Sequence, residues 1–277
     1  MKKLILIVLL MIPTALFAQQ MNIISFNIRY NNTGDGINAW PNRIEMVNGL
    51  LKFHEPDIFG LQEALLGQIL DIENGLPGYE WFGVGREDGD KAGEFSPIFF
   101  NKTKLLLIEN GHFWLSENCD KPELGWDAAC KRIVTWGKFQ SKVTGKQFFV
   151  FNTHFDHVGD EARKNSAFLI RDKMNESTKD NGLPVILTGD FNLTPETKPI
   201  ELIKGYMSDS REISEELPYG PIGTFNAFKW DAPYEKRIDY IFVNDRVKVL
   251  KYAALTDNKE QRWPSDHIPV FVKVQLK

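Results

Sequence analysis

The amino-acid sequence predicts an α/β sandwich, in which two packed, mostly antiparallel β-sheets carry helices on their outer faces. Three observations lead there. Short alternating apolar runs dominate, and both halves of the chain repeat one coarse order: strand, helix, strand, then a meander. Two sheets packed face to face, with helices outside, would cover both apolar faces. No glycine-rich phosphate loop is present to support a doubly wound parallel sheet. With 43% hydrophobic and 12% aromatic residues, a large core is available to such layers.

In chain order, Asn22 to Tyr30 alternates and is rich in Ile and Phe, which predicts the first strand. Pro41 opens a helical stretch to about His54, with Ile44, Val47, Leu50 and Leu51 at helical spacing. Asp57 to Gln62 is a short strand and Leu65 to Glu73 a second helix. Strands are then predicted at Trp81–Val84, Pro97–Phe100, Leu105–Ile108, Ile133–Phe139 and Gln147–Thr153, separated by Gly, Asn and Asp. A longer helix from about Asp160 to Met174 can turn Ala162, Ala167, Phe168 and Ile170 to a sheet. Pro184 to Thr188 is a buried strand, Thr197 to Lys204 a short helix, and Thr224 to Leu276 mostly strand.

Residues 1–18 stand apart from this order. Lys2 and Lys3 precede an apolar run from Leu4 to Phe17, and Ala18 offers a small residue for cleavage. That is the layout of a secretory signal, too short and wrongly flanked for a stable membrane span. No cysteine follows it to carry a lipid, so a secreted or periplasmic location is expected, with one domain over residues 19–277. The formal charge of −4 argues against the broad basic footprint that drives tight duplex binding. Cys119 and Cys130 fit either a short disulfide-closed loop or two free thiols, and with no local histidine they make no zinc site.

Five polar clusters end or interrupt apolar strands, and a sixth lies near the C-terminus. Asn27 interrupts the first strand, Glu63 follows the second, and His154, Asp156 and His157 follow the strand that ends at Thr153. Asp190 and Asn192 leave the buried run Val185-Ile186-Leu187 two positions apart, so an extended backbone turns both to one side. Asp239 begins a strand, and Asp266 and His267 stand at the lip of the last one. Oxygen ligands of this kind select magnesium or manganese. A divalent cation, a water-activating acid and imidazoles suit hydrolysis of a phosphate ester. No Gly-x-Ser-x-Gly pattern competes.

The ordered set Ser-Phe-Asn27, Leu-Gln-Glu63, Asn-Thr-His154, Gly-Asp190-Phe-Asn192, Ile-Asp239-Tyr and Ser-Asp266-His267 resembles the endonuclease/exonuclease/phosphatase superfamily. The likeness runs from Asn22 to Lys277. It implies a four-layer α/β sandwich with the site where the two sheets open at one end. It further implies that Glu63 is the main metal carboxylate, with Asn27 and Asp266 near the same ion. Asp190 then aligns or deprotonates the attacking water, helped by Asn192, and His154 donates to a phosphate oxygen. His267 contacts the scissile phosphate or acts as the base, oriented by Asp239 or Asp266. The segments at Gly125–Ala129 and Asn38–Arg43 are similar to secreted bacterial members near the deadenylase group.

Around this set, Arg29, Trp40, Arg43, Trp126 and Arg237 are candidates to hold a phosphate or stack on a ring, and Asp156 and His157 follow His154 directly. The expected protein is an exported, divalent-metal-dependent phosphoesterase acting on a mono- or diester. An exported nuclease on single-stranded RNA or DNA is the alternative, and a binding protein without turnover the third. No membrane insertion or obligate protein partner is expected.

Overall fold

The computed structural model describes residues 20–179, 182–231 and 233–277. The secretory signal expected at residues 1–18 lies outside them. The first half runs β1 (Gln20–Asn27), α1 (Ile44–His54), β2 (Ile58–Gln62), α2 (Leu66–Gly75), β3 (Tyr79–Phe82), β4 (Ile98–Asn101), β5 (Leu105–Trp114) and β6 (Ile133–Ser141). The second runs β7 (Gln147–His154), α3 (Asp160–Thr178), β8 (Val185–Asp190), α4 (Lys198–Lys204), β9 (Ser208–Asp209), β10 (Asp239–Val243), β11 (Val247–Ala254) and β12 (Val270–Leu276).

Two six-stranded sheets result, in the orders β11-β12-β1-β2-β4-β3 and β5-β6-β7-β8-β10-β9. Each is antiparallel except for one central parallel pair, β1 with β2 and β7 with β8. A parallel pair needs a long crossover, and α1 and α3 supply it. The repeated strand-helix-strand order in the sequence is this pair of crossovers.

Three apolar layers separate the four structural layers. Between the sheets lie Met21, Ile23, Ile58, Phe139, Phe148, Val150, Ile186 and Ile241, among others. The outer face of the first sheet packs Ile24, Phe26 and Phe59 against Val47, Leu50 and Leu51 of α1 and Ile69 and Ile72 of α2. The second sheet packs Phe149, Phe151 and Leu187 against Ala167, Ile170 and Met174 of α3 and Ile200 and Ile203 of α4. Burying a side chain such as Phe139 or Phe148 contributes about 1.5–3 kcal/mol relative to leaving it in water. Successive residues of one strand therefore feed two different cores, as a period of two requires.

The structure corrects several boundaries. β1 ends at Asn27 rather than Tyr30, because Arg29 takes a left-handed backbone (φ 56°) that leaves the sheet. α1 begins at Ile44, preceded by two short 3-10 turns at Thr33–Asn38 and Trp40–Asn42. β5 extends to Trp114 as an edge strand with Leu106 and Ile108 exposed. Among the described residues from Thr224 to Leu276, the strands are β10, β11 and β12, and loops take up much of the rest. Cys119 and Cys130 are free thiols. No helix among the described residues is long and apolar enough to cross a membrane.

Candidate active site

The site grows out of the inter-sheet core by strand alternation. Met21 and Ile23 of β1 face the other sheet, and the next residues of that parity are Ser25 and Asn27. On β7 the series is Phe148, Val150, Asn152, His154, and on β8 it is Ile186, Thr188, Asp190. β10 enters from the opposite direction with Asp239, then Ile241 and Val243. One face of each strand thus changes from apolar to polar at the same end of the sandwich.

The change begins with a buried amide network. Gln62 Nε2 donates to Asn152 Oδ1 (2.7 Å), Thr188 Oγ1 donates to the same oxygen (2.9 Å), and Asn152 Nδ2 donates to Leu61 O and Pro97 O (2.8 and 3.0 Å). It ties the two sheets together directly beneath the catalytic candidates. Gly60 makes room for it: a Cβ there would lie 2.4 Å from Asn152 Oδ1 and 2.6 Å from Thr188 Oγ1.

Asp190 lies at the centre, almost wholly buried. Its Oδ2 accepts from Asn27 Nδ2 (2.9 Å) and faces His154 Nε2 (3.5 Å) and His267 Nε2 (3.7 Å). Its Oδ1 accepts the backbone N–H of Asn192 (2.9 Å). Asp239 stands directly across the β8–β10 ladder from it. Burial, and then the charge of Asp239, push the Asp190 carboxyl up to about 7, against the pull of His267 and Asn27.

His267 carries the opposite charge. Its Nδ1 donates to Asp239 Oδ2 (2.9 Å), and the ring sits edge-on to Phe225. Burial alone would lower this imidazole, but Asp239 and Asp190 overcome it and hold His267 well above its ordinary value. Both carboxylates favour its protonated form, and Nε2 lies at the cleft, 3.7 Å from Asp190 Oδ2. His154 behaves the other way: burial, then Arg132 and Arg86, hold it well below its ordinary value. Asn192 Nδ2 gives one N–H to Phe155 O (3.0 Å) and the other to His154 Nε2 (3.0 Å). That leaves the His154 proton on Nδ1.

Glu63 and Asp266 form the other wall, beside Asn27. Glu63 has left the end of β2 in a left-handed conformation (φ 59°), which turns its carboxylate back to accept from Asn27 Nδ2 (3.1 Å) and Tyr30 N (3.2 Å). Arg29 and Asn192 share that backbone region, and such strain, at about 1–3 kcal/mol each, collects at functional sites. Ser265 Oγ donates to Asn27 O (2.7 Å) and so fixes the turn that carries Asp266. Burial raises the Asp266 carboxyl; His267 opposes this and Glu63 adds to it. Two carboxylates, one raised partly by the other, are oxygen donors that fit a hard divalent cation, while Asn27 meets Glu63 through its amide nitrogen and accepts from Arg29 N through its oxygen (3.0 Å). Asp190, Asp239 and His267 also bring ligand atoms within 4.8 Å of one another and could hold a metal ion.

All eight residues expected for catalysis and metal binding converge here: Asn27, Glu63, His154, Asp190, Asn192, Asp239, Asp266 and His267. Of the residues expected to contact substrate, Arg29 and His157 line the cleft, which has a volume of about 610 Å³. The others do not. Trp40 is buried and donates to Asp71 (2.8 Å), tying the 3-10 turn to α2. Arg43 is fully buried, donating to the carbonyls of Asn38, Ile28, Pro264 and Arg29. Arg237 is buried against Asp209 (2.6 Å). Asp156 accepts from Ala129, Cys130, Val158 and Gly159 N–H groups and organises two loops. Trp126 lies on a turn outside the cleft lining.

Sequence reading missed Arg86, Glu94, Cys130, Arg132, Phe225 and Lys236, which also line the cleft. Cys130 and Lys236 adjoin segments already singled out, and the others sit away from the motifs, in segments whose folding back over the sheet ends no local pattern encodes.

A layered α/β sandwich that closes one end around buried carboxylates and an Asp-bound imidazole has the make-up of a metal-dependent phosphoester hydrolase. The chain belongs to the endonuclease/exonuclease/phosphatase family, whose model matches residues 24–267. It is similar to the mannosyl-6-phosphatase of Bacteroides thetaiotaomicron, with 41% identity, a TM-score of 0.88, and coverage of 92% of this chain and 99% of that one. An endonuclease/exonuclease/phosphatase from Bacteroides vulgatus is also 41% identical, with a TM-score of 0.89 over 94% of this chain and 100% of that one. The human Nocturnin catalytic domain shares the fold at 18% identity, with a TM-score of 0.71 over 93% of this chain and 94% of that one.

Proposed function

We propose that this chain is an exported, magnesium- or manganese-dependent phosphatase of small phosphorylated sugars. The observation that carries the catalytic part is the buried Asp190 carboxyl, poised near neutrality between an Asp-bound imidazolium and the Asn27 amide. A cleft of about 610 Å³ suits a small ester better than a duplex. The likeness to a mannosyl-6-phosphatase supports a sugar as the alcohol part. The basic and then apolar run at residues 2–17 supports export.

Glu63 and Asp266, beside Asn27, would hold a divalent cation, which when bound would supply charge neutralisation at the phosphoryl oxygens. Ionised Asp190 accepts a proton from a water aligned with the phosphorus, while Asn192 N–H holds the other carboxylate oxygen in place. His267 donates Nε2–H to a phosphoryl oxygen, and Asp239 keeps that ring charged and oriented. Water's oxygen bonds to phosphorus as the bond to the sugar oxygen breaks. The departing alkoxide takes its proton from water in the open cleft.

The test is a metal-dependent release assay on the purified mature protein. Its panel holds hexose phosphates, phenyl phosphate, nucleotides, inositol phosphates, phospholipid head groups and single-stranded oligonucleotides, with His267→Ala in parallel. Release from hexose phosphates that disappears in EDTA and in the variant supports the reading. Cleavage of oligonucleotides with no release from the sugar phosphates would replace it by the nuclease.

A further inference from the structure

The wall of the cleft beside His154 holds polar groups that the hydrolytic chemistry does not use. Arg86 grips Glu94 with both terminal nitrogens (2.7 and 3.0 Å). Arg132 lies beside them, buried, with Nε near Asp156 Oδ2 (3.5 Å) and Nη2 bonded to His157 Nδ1 (3.0 Å). Its remaining nitrogen, Nη1, is buried without a hydrogen-bond partner, and so are Arg86 Nε and His154 Nδ1. Arg86, Glu94, Arg132 and His154 all line the cleft, and they also pack around a space too small for a water molecule. Glu94 Oε2 is 3.9 Å from His154 Nδ1. Burial raises the Glu94 carboxyl despite Arg86.

Buried donors without partners cost about 1–3 kcal/mol each, so a wall that carries several is built to be completed by something else. The charge balance says what kind of group. The two guanidiniums face three carboxylates, Glu94, Asp156 and Glu87 (3.6 Å from Arg86 Nε), which leaves the wall without the surplus positive charge a second phosphate would need. A cation is equally ill suited. Cys130, Asp156 and His157 come within ligand distance of one another, but Arg132 already places a positive charge on Asp156 and His157. A neutral group that both donates and accepts remains, which is a hydroxyl-bearing one.

We infer that Glu94, Arg86 and Arg132 form the subsite for the alcohol part of the substrate, whose hydroxyls bind where the Glu94 carboxylate and the Arg132 guanidinium line the cleft. This rests on the sugar-phosphatase reading and adds the residues that set its specificity. Arg86 holds Glu94 in place and is a positioning residue.

The experiment compares kcat/KM for a hexose 6-phosphate with that for phenyl phosphate, whose leaving group has no further hydroxyl. Wild type, Glu94→Gln and Arg132→Lys are measured side by side, each with its melting curve. The expected result is that both variants melt near wild type and lose at least about tenfold in the ratio of the two kcat/KM values, as losing a hydrogen bond to a specific group does. The loss should fall mainly on KM for the hexose phosphate. An unchanged ratio in both variants would overturn the subsite while the phosphatase reading stands. If wild type releases phosphate from neither monoester, the phosphatase reading falls and the subsite with it.

Discussion

At the scale of single residues, Asp190 is where charge, burial and chemistry meet, and two outcomes follow for it. Asp190→Asn should lower kcat by about a thousandfold or more, the order seen when one group acting on the transition state is removed. The second outcome concerns the fold without metal. The Asp190 carboxyl titrates near 7 in the folded protein and near 3.9 when unfolded. Between those values the folded state keeps a proton that the unfolded state has released. Its stabilising contribution is complete below about pH 4 and is lost as pH rises through 7. In EDTA at pH 8, Asp190→Asn should therefore melt above wild type, by at least about 2 °C for a gain of 1 kcal/mol. The gap should close as pH falls toward 4. Melting curves across that range decide it, and a variant less stable than wild type at pH 8 contradicts the placement of Asp190 as a strained, buried acid. Sequence marked this residue because Asp190 and Asn192 follow a buried run at a spacing of two. It could not show that Asp239 would lie directly opposite, since that pairing joins positions far apart in the chain.

At the scale of elements, the strands deliver the site by running on past their apolar residues, and Gly60 lets the sheets approach there. Gly60→Ala would press a methyl group against Asn152 and Thr188. A cost of about 1–3 kcal/mol, typical of overpacking, is expected, together with lower activity because His154 and Asp190 end the same two strands. Thermal melting and a kcat measurement check both parts, and a neutral substitution would show that the amide network does not hold the sheets in register. A different device sets the start of α3. Asp127 accepts the N–H groups of Glu161 and Ala162 from outside the helix, and Asp156 accepts those of Val158 and Gly159 just before it. Backbone donors hold the Asp156 carboxyl down at about 2 although burial works against them. Its contribution to stability is present above the unfolded value near 3.9 and lost as pH falls toward 2. Asp156→Asn should be destabilising at pH 7, and its deficit should shrink below pH 4. The sequence made Asp156 a substrate contact because it stands two places after His154. Whether such a carboxylate faces ligand or backbone is decided by how two loops fold together, which spacing does not record.

At the scale of the whole molecule, the order of strands and helices was legible because each layer needs its own apolar face. Ile23 and Ile24, adjacent in β1, enter different cores, and that alternation is visible in the sequence. The eight central site residues were legible for a related reason, since polar residues that interrupt a buried strand need a purpose. Arg43 and Arg237 misled because a charged side chain beside a motif looks alike whether it is fully buried among carbonyls or turned to a ligand. Arg132 and Glu94 were missed because only the closure of both sheet ends brings them to the cleft. That closure also gives the molecule two sets of groups able to take a cation, and stability separates them. A ligand that binds only the folded state stabilises it by about 2.7 kcal/mol at a hundred times its dissociation constant. Saturating magnesium should accordingly raise the melting temperature of the EDTA-treated protein by several degrees. If Glu63 and Asp266 hold the ion, Glu63→Gln and Asp266→Asn should each abolish that rise, while Asp239→Asn keeps it and loses activity through His267. Retention of the rise in Glu63→Gln with its loss in Asp239→Asn would place the ion instead among Asp190, Asp239 and His267, and would require His267 to give up its proton on binding.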